Sequence, residues 1–115
     1  MINLHRPRGM LVETKRNPLC YIGEIGPTMP VNREVSNLGP RISIVDHEGN
    51  LLSRFGAAHA GYYRPDQFVA PHKMAVDSHG DIYVGEVSYT AWSQIYPGKN
   101  IPTGLRTLRK LVRVR

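Results

Sequence analysis

Ala70-Pro71-His72-Lys73-Met74-Ala75-Val76, followed after Asp77-Ser78-His79-Gly80 by Ile82-Tyr83-Val84-Gly85-Glu86-Val87, decides the fold, because the chain says nearly the same thing earlier. There Arg6-Pro7-Arg8-Gly9-Met10-Leu11-Val12 leads, after a polar stretch, into Cys20-Tyr21-Ile22-Gly23-Glu24-Ile25. Pro, Met, Val, Tyr, Gly and Glu recur in order, and only the turn between the halves differs in length. An internal repeat of this kind calls for a repeat architecture. Each copy has the pattern of a hairpin: a run enriched in β-branched residues, a polar turn and a second such run.

Between the copies lies a further hairpin. Arg41-Ile42-Ser43-Ile44-Val45 enters the turn Asp46-His47-Glu48-Gly49-Asn50, and Leu51-Leu52-Ser53-Arg54-Phe55 returns. Gly49 and Asn50 tolerate the left-handed backbone that tight turns require. One unit therefore holds four strands, and four antiparallel strands in up-and-down order make a propeller blade. The expectation is an all-β chain of four-stranded antiparallel blades, incomplete, with about two blades. The first blade spans 1–56, with strands near 8–13, 19–25, 41–46 and 50–55 and a long loop at 26–40. The second spans 57–115, with strands near 72–77, 81–87 and 107–114, a long loop at 88–106 and no fourth strand. Eleven Gly and nine Pro in 115 residues agree with many short elements joined by turns.

The string Arg41-Ile42-Ser43-Ile44-Val45-Asp46-x-x-Gly49, then Phe55-Gly56, then Pro71-x-x-Met74-Ala75-Val76-Asp77-x-x-Gly80-Asp81-Ile82-Tyr83-Val84 resembles the NHL repeat over roughly residues 41–87. The first copy is looser, with Glu13 where the pattern prefers Asp and no glycine in its turn. The resemblance implies a ring of six blades, of which this chain carries about a third. Open strand edges then imply partners: the remaining blades or further copies of the chain.

Strand direction sorts the loops. The connections at 14–18, 46–50 and 77–81 fall on one face and are short, while those at 26–40, 56–71 and 88–106 fall on the other and are long. Loops beyond about 12–15 residues are usually functional or disordered, so the long-loop side is the candidate binding face for a small-molecule or peptide ligand. It carries Tyr62, Tyr63, Tyr89, Trp92 and Tyr96, which either contact a ligand or fold the loops down onto the strands. His72 opens an innermost strand on this side, and the same repeat position in the first copy is Arg8. The Pro71-His72 step resembles the motif of the peptidyl-hydroxyglycine amidating lyases, propeller enzymes whose zinc is held by histidines from non-adjacent blades. That resemblance implies a metal role for His72, with a divalent ion such as zinc held only together with residues of blades absent here, and a lyase or hydrolase active site on the propeller axis. The alternative is a channel-lining histidine in a non-catalytic module that recognises protein, peptide or sugar. Glu24 and Glu86 repeat with the glycine before them, either binding a ligand or capping backbone amides and pairing with Arg. Candidate ligand-binding residues are thus Arg8, Glu24, Glu86, Tyr89 and Trp92, with no catalytic residue assigned.

Composition excludes several classes. The single cysteine, Cys20, has neither a disulfide partner nor the spacing of a structural zinc site. No apolar stretch reaches signal-peptide or membrane-span length, so a soluble chain without a membrane partner is expected, its compartment open. The net charge of +6 is local, since five of the fifteen basic residues fall at Arg106, Arg109, Lys110, Arg113 and Arg115. Leu108, Leu111, Val112 and Val114 alternate among them, so a half-exposed strand explains the segment and nucleic acid, RNA in particular, is the disfavoured partner. No nucleophile elbow or phosphate-cradling glycine loop is present.

Overall fold

The computed structural model describes residues 4, 6–25, 40–56 and 67–113. They form two antiparallel sheets and one short helix. The first sheet contains β1 (Pro7–Val12), β2 (Cys20–Glu24), β3 (Arg41–Val45) and β4 (Leu51–Phe55), in the order β1-β2-β3-β4. The second contains β5 (Pro71–Val76), β6 (Ile82–Glu86) and β7 (Leu108–Leu111), in the order β5-β6-β7. Within each sheet sequence neighbours are paired neighbours; short turns join β1 to β2, β3 to β4 and β5 to β6, and longer connections join β2 to β3 and β6 to β7. Neither sheet closes on itself, and among the described residues the second has three strands.

The turns explain the repeat's polar residues. Asp46 Oδ1 accepts from the amides of Glu48 and Asn50 at 2.9 and 2.8 Å, and Gly49 takes φ +87°. Asp77 Oδ1 does the same for His79 and Asp81 at 2.9 and 3.0 Å, with Gly80 at φ +85°. The turn between β1 and β2 reaches the same end with other residues. Glu13 Oε1 accepts from the Leu19 amide at 3.0 Å, and Asn17 supplies the left-handed position at φ +55°. A longer carboxylate arm thus spans a longer turn, and Asn is the residue after Gly that best tolerates this backbone.

One expectation is corrected here. Residues 88–106 are not loop throughout, because Ser88–Ile95 forms a helix, α1. Ser88, Ala91, Trp92 and Ile95 recur at i, i+3, i+4 and i+7; the first three are buried and Ile95 packs beside them. Pro97 and Gly98, the latter at φ +75°, follow its end. The helix is eight residues long, and no helix among the described residues is long and apolar enough to cross a membrane.

The core lies between the sheets. Tyr21, Ile42 and Ile44 of the first face Phe68, Ile82 and Val84 on the second side. A separate cluster seats α1, through Ala91 and Trp92, on Ile25, Val69, Ala70 and Leu105. The sheets meet most closely where β1 crosses β5. A Cβ placed on Gly9 would lie 1.4 Å from the His72 carbonyl oxygen, so no other residue fits. Gly23 beside it is less constrained, its Cβ position being 3.3 Å from the Pro71 carbonyl oxygen.

β7 buries a cation of the basic end and exposes a leucine. Leu108 is 69% exposed while Arg109 is buried, its guanidinium 4.6 Å from the centre of the Phe68 ring and bonded to the Gln67 carbonyl. Lys110 lies 3.5 Å from Asp81 and over the Tyr83 ring.

Two substitutions test the crossing. Gly9→Ala should cost about 3 kcal/mol or more, because backbone must move to admit the methyl group, whereas Gly23→Ala should cost about 1 kcal/mol. Urea denaturation of both variants makes the comparison, and equal losses would show that the approach of β1 to β5 is not what restricts position 9.

Candidate functional site

The repeat positions of Arg8 and His72 are both β-bulges. Pro7 pairs with Glu24 and Gly9 with Gly23, leaving Arg8 as the extra residue of β1. Pro71 pairs with Glu86 and Lys73 with Gly85, leaving His72 as the extra residue of β5. A bulge interrupts the pleat and re-aims its side chain, which is why bulges gather beside binding sites. Because β1 and β5 are adjacent at Gly9, the two bulges open on one pocket of about 250 Å³.

Arg6, Arg8 and His72 form the polar wall of this pocket from the strand side. Thr90 and Gln94, one turn apart on α1, contribute a hydroxyl and an amide from the other, and Ile25, Val87 and Ala91 supply the apolar surface. Arg6 is held with φ +52°, and its carbonyl accepts from the Ile25 amide at 3.2 Å. A non-glycine residue in that region is uncommon and persists where its surroundings enforce it.

The other expected site residues are placed elsewhere. Glu24 is fully buried and bonded by Arg41, whose Nε and Nη2 donate to its Oε2 and Oε1 at 3.0 and 3.1 Å. The Ser43 hydroxyl also donates to Glu24, and Arg54 Nε donates to Ser43 Oγ at 3.1 Å. Glu86 Oε1 accepts from the amides of Val69 and Ala70 at 2.7 and 3.0 Å, fixing the entry to β5. Its Oε2 has no hydrogen-bond partner among the described residues. Burial pushes the Glu86 carboxyl above the usual glutamate range, against the opposing pull of those two amides and of Arg109 and Arg106. Both repeated carboxylates therefore satisfy protein groups.

Trp92 is 4% exposed, donates from Nε1 to the Lys99 carbonyl at 2.8 Å and packs against Tyr96, so it folds the 88–106 segment onto the sheet. Tyr89 is 52% exposed on α1 and is not among the residues lining the pocket. Tyr62 and Tyr63 lie outside the described residues. Arg6, Thr90 and Gln94 carried no motif; the spacing of Ser88, Ala91, Trp92 and Ile95, read as a helix, would have put Thr90 and Gln94 on one face.

As a metal centre the pocket fits poorly. His72 is its one side chain of metal-ligating type among the described residues, and the two guanidiniums beside it oppose a dication. Cys20 is half-buried in β2, where burial pushes its thiol up, away from the reactive thiolate. Searches of protein-family models, curated proteins and solved structures found nothing that matches the chain.

Two measurements check the roles of the carboxylates. Glu24→Ala should destabilise by about 3 kcal/mol or more, since it leaves Arg41 and Ser43 without their acceptor; a variant of unchanged stability would return Glu24 to the list of ligand contacts. For Glu86 the sign follows from linkage. A folded value raised above the unfolded one means that the native state binds the extra proton, so stability falls as pH rises from the ordinary glutamate value through the raised one. Glu86→Gln should flatten that part of the stability curve, and carboxyl carbon NMR should find Glu86 titrating above free glutamate.

Proposed function

We propose that the two sheets are neighbouring blades of an NHL-like β-propeller and that the chain is a ligand-binding module working through the pocket between Arg8 and His72. The observation that carries this reading is the pair of bulges at equivalent repeat positions, which turn two polar side chains into one cavity on the long-loop side. Support for the blades comes from two up-and-down sheets with apposed faces and adjacent first strands. Binding is preferred over a zinc-dependent lyase or hydrolase reaction because the donor set around His72 is cationic. A metal would need its remaining ligands from other blades.

RNA binding is disfavoured on specific contacts. Arg109 is buried over Phe68, and Lys110 lies 3.5 Å from Asp81, so two of the five basic residues at this end have partners within the fold. A ring needs more blades than two sheets provide, and the remaining blades or further copies of the chain would complete it.

Sedimentation should show the 115-residue chain self-associating at micromolar concentration, and a long-lived folded monomer would count against the blades. A fragment screen by amide NMR should perturb Arg8, His72, Thr90 and Gln94. Responses confined to the turns at 46–50 and 77–81 would overturn the pocket.

A further inference from the structure

We infer that the pocket takes an oxyanion, the carboxylate or phosphate end of a small ligand with a short apolar body; the inference rests on reading this pocket as the binding site. Three residues with nitrogen-bearing side chains, Arg6, Arg8 and His72, line it, and no Asp or Glu does so among the described residues. The carboxylates nearest in strand register are directed elsewhere. Glu24, opposite Pro7, is bonded by Arg41 and Ser43, and Glu86, opposite Pro71, holds the amides of Val69 and Ala70. The chain thus places the exposed Arg8 at the pocket while keeping Glu24 and Glu86 on internal partners.

The geometry suits an oxyanion in three further respects. The guanidinium fork donates two parallel hydrogen bonds to carboxylate or phosphate oxygens, a match that a single ammonium lacks. The Thr90 hydroxyl and Gln94 amide can donate from the helix side. Arg6 is also held in a left-handed backbone conformation that costs free energy, and such outliers cluster at ligand clamps.

Size and lining narrow the ligand. About 250 Å³ lies just below the span of pockets for drug-sized molecules. Ile25, Val87 and Ala91 give one side an aliphatic surface. A short aliphatic carboxylate or a small phosphate ester suits a pocket of this size and lining.

The test titrates the full chain with sodium phosphate and, separately, sodium butyrate at constant ionic strength, followed by amide NMR, with butyramide as the neutral control. At least one anion should give saturable shifts at Arg8, His72 and Thr90, and which one does so separates phosphate from carboxylate. Arg8 is exposed, so Arg8→Gln should keep the native spectrum while weakening binding about tenfold through loss of a charge-assisted bond, and Arg8→Lys should weaken it less. Unchanged affinity in Arg8→Gln overturns the inference. Butyramide binding in the pocket where neither anion binds overturns the anion but leaves the pocket as a binding site, and no response at the pocket to any probe overturns both.

Discussion

The arrangement depends on the crossing of β1 over β5 at Gly9. A backbone carbonyl, that of His72, occupies the space any side chain at position 9 would need. Strands that approach so closely bring whatever lies beside the crossing into register, and what lies beside it here is the pair of bulges. Arg8 precedes Gly9, and His72 supplies the carbonyl itself. With the sheets held at this distance, Tyr21, Ile42 and Ile44 meet Phe68, Ile82 and Val84, and Ile25 is placed to receive α1. Removing this contact would separate the core and the pocket together.

The repeated carboxylates show how one position can be kept while its partner moves. Glu24 pairs in register with Arg41, which supplies its cation. Glu86 stands at the same point of the second sheet, where its amide donates to the Thr107 carbonyl and no arginine is opposite. Its nearby cation is Arg109, opposite Val84 and hence at the position that Ser43 holds opposite Ile22 in the first sheet. Residues two apart share a face of a strand, so the charge shifts along the third strand without changing sides. This accounts for the buried Arg109 between the exposed Leu108 and Lys110.

All seven strands were legible from short runs enriched in β-branched residues and bounded by turn residues, each within a few residues of its observed ends. Asp46 and Asp77 were legible as turn acceptors because an Asp carboxylate reaches the amides two and four residues on, a local property. The helix is not legible as one because eight residues hold barely two turns, a weak periodic signal beside Pro97 and Gly98. Trp92 stood open between ligand contact and loop packing, since an aromatic ring serves both; the Lys99 carbonyl and Tyr96 decide for packing. The parity of β7 could not be read, because alternation has period two and defines two faces without saying which one is covered.

By itself the sequence determined the seven strands, their antiparallel order and the equivalence of Arg8 with His72, since these follow from strand composition, turn chemistry and repetition over short distances. Only the tertiary structure decided that the two equivalent residues meet at one pocket, that Glu24 and Glu86 face inward to protein partners, and that Arg6, Thr90 and Gln94 join the site. Those outcomes depend on the distance between sheets and on where α1 settles, and both are set by contacts between residues far apart in the chain.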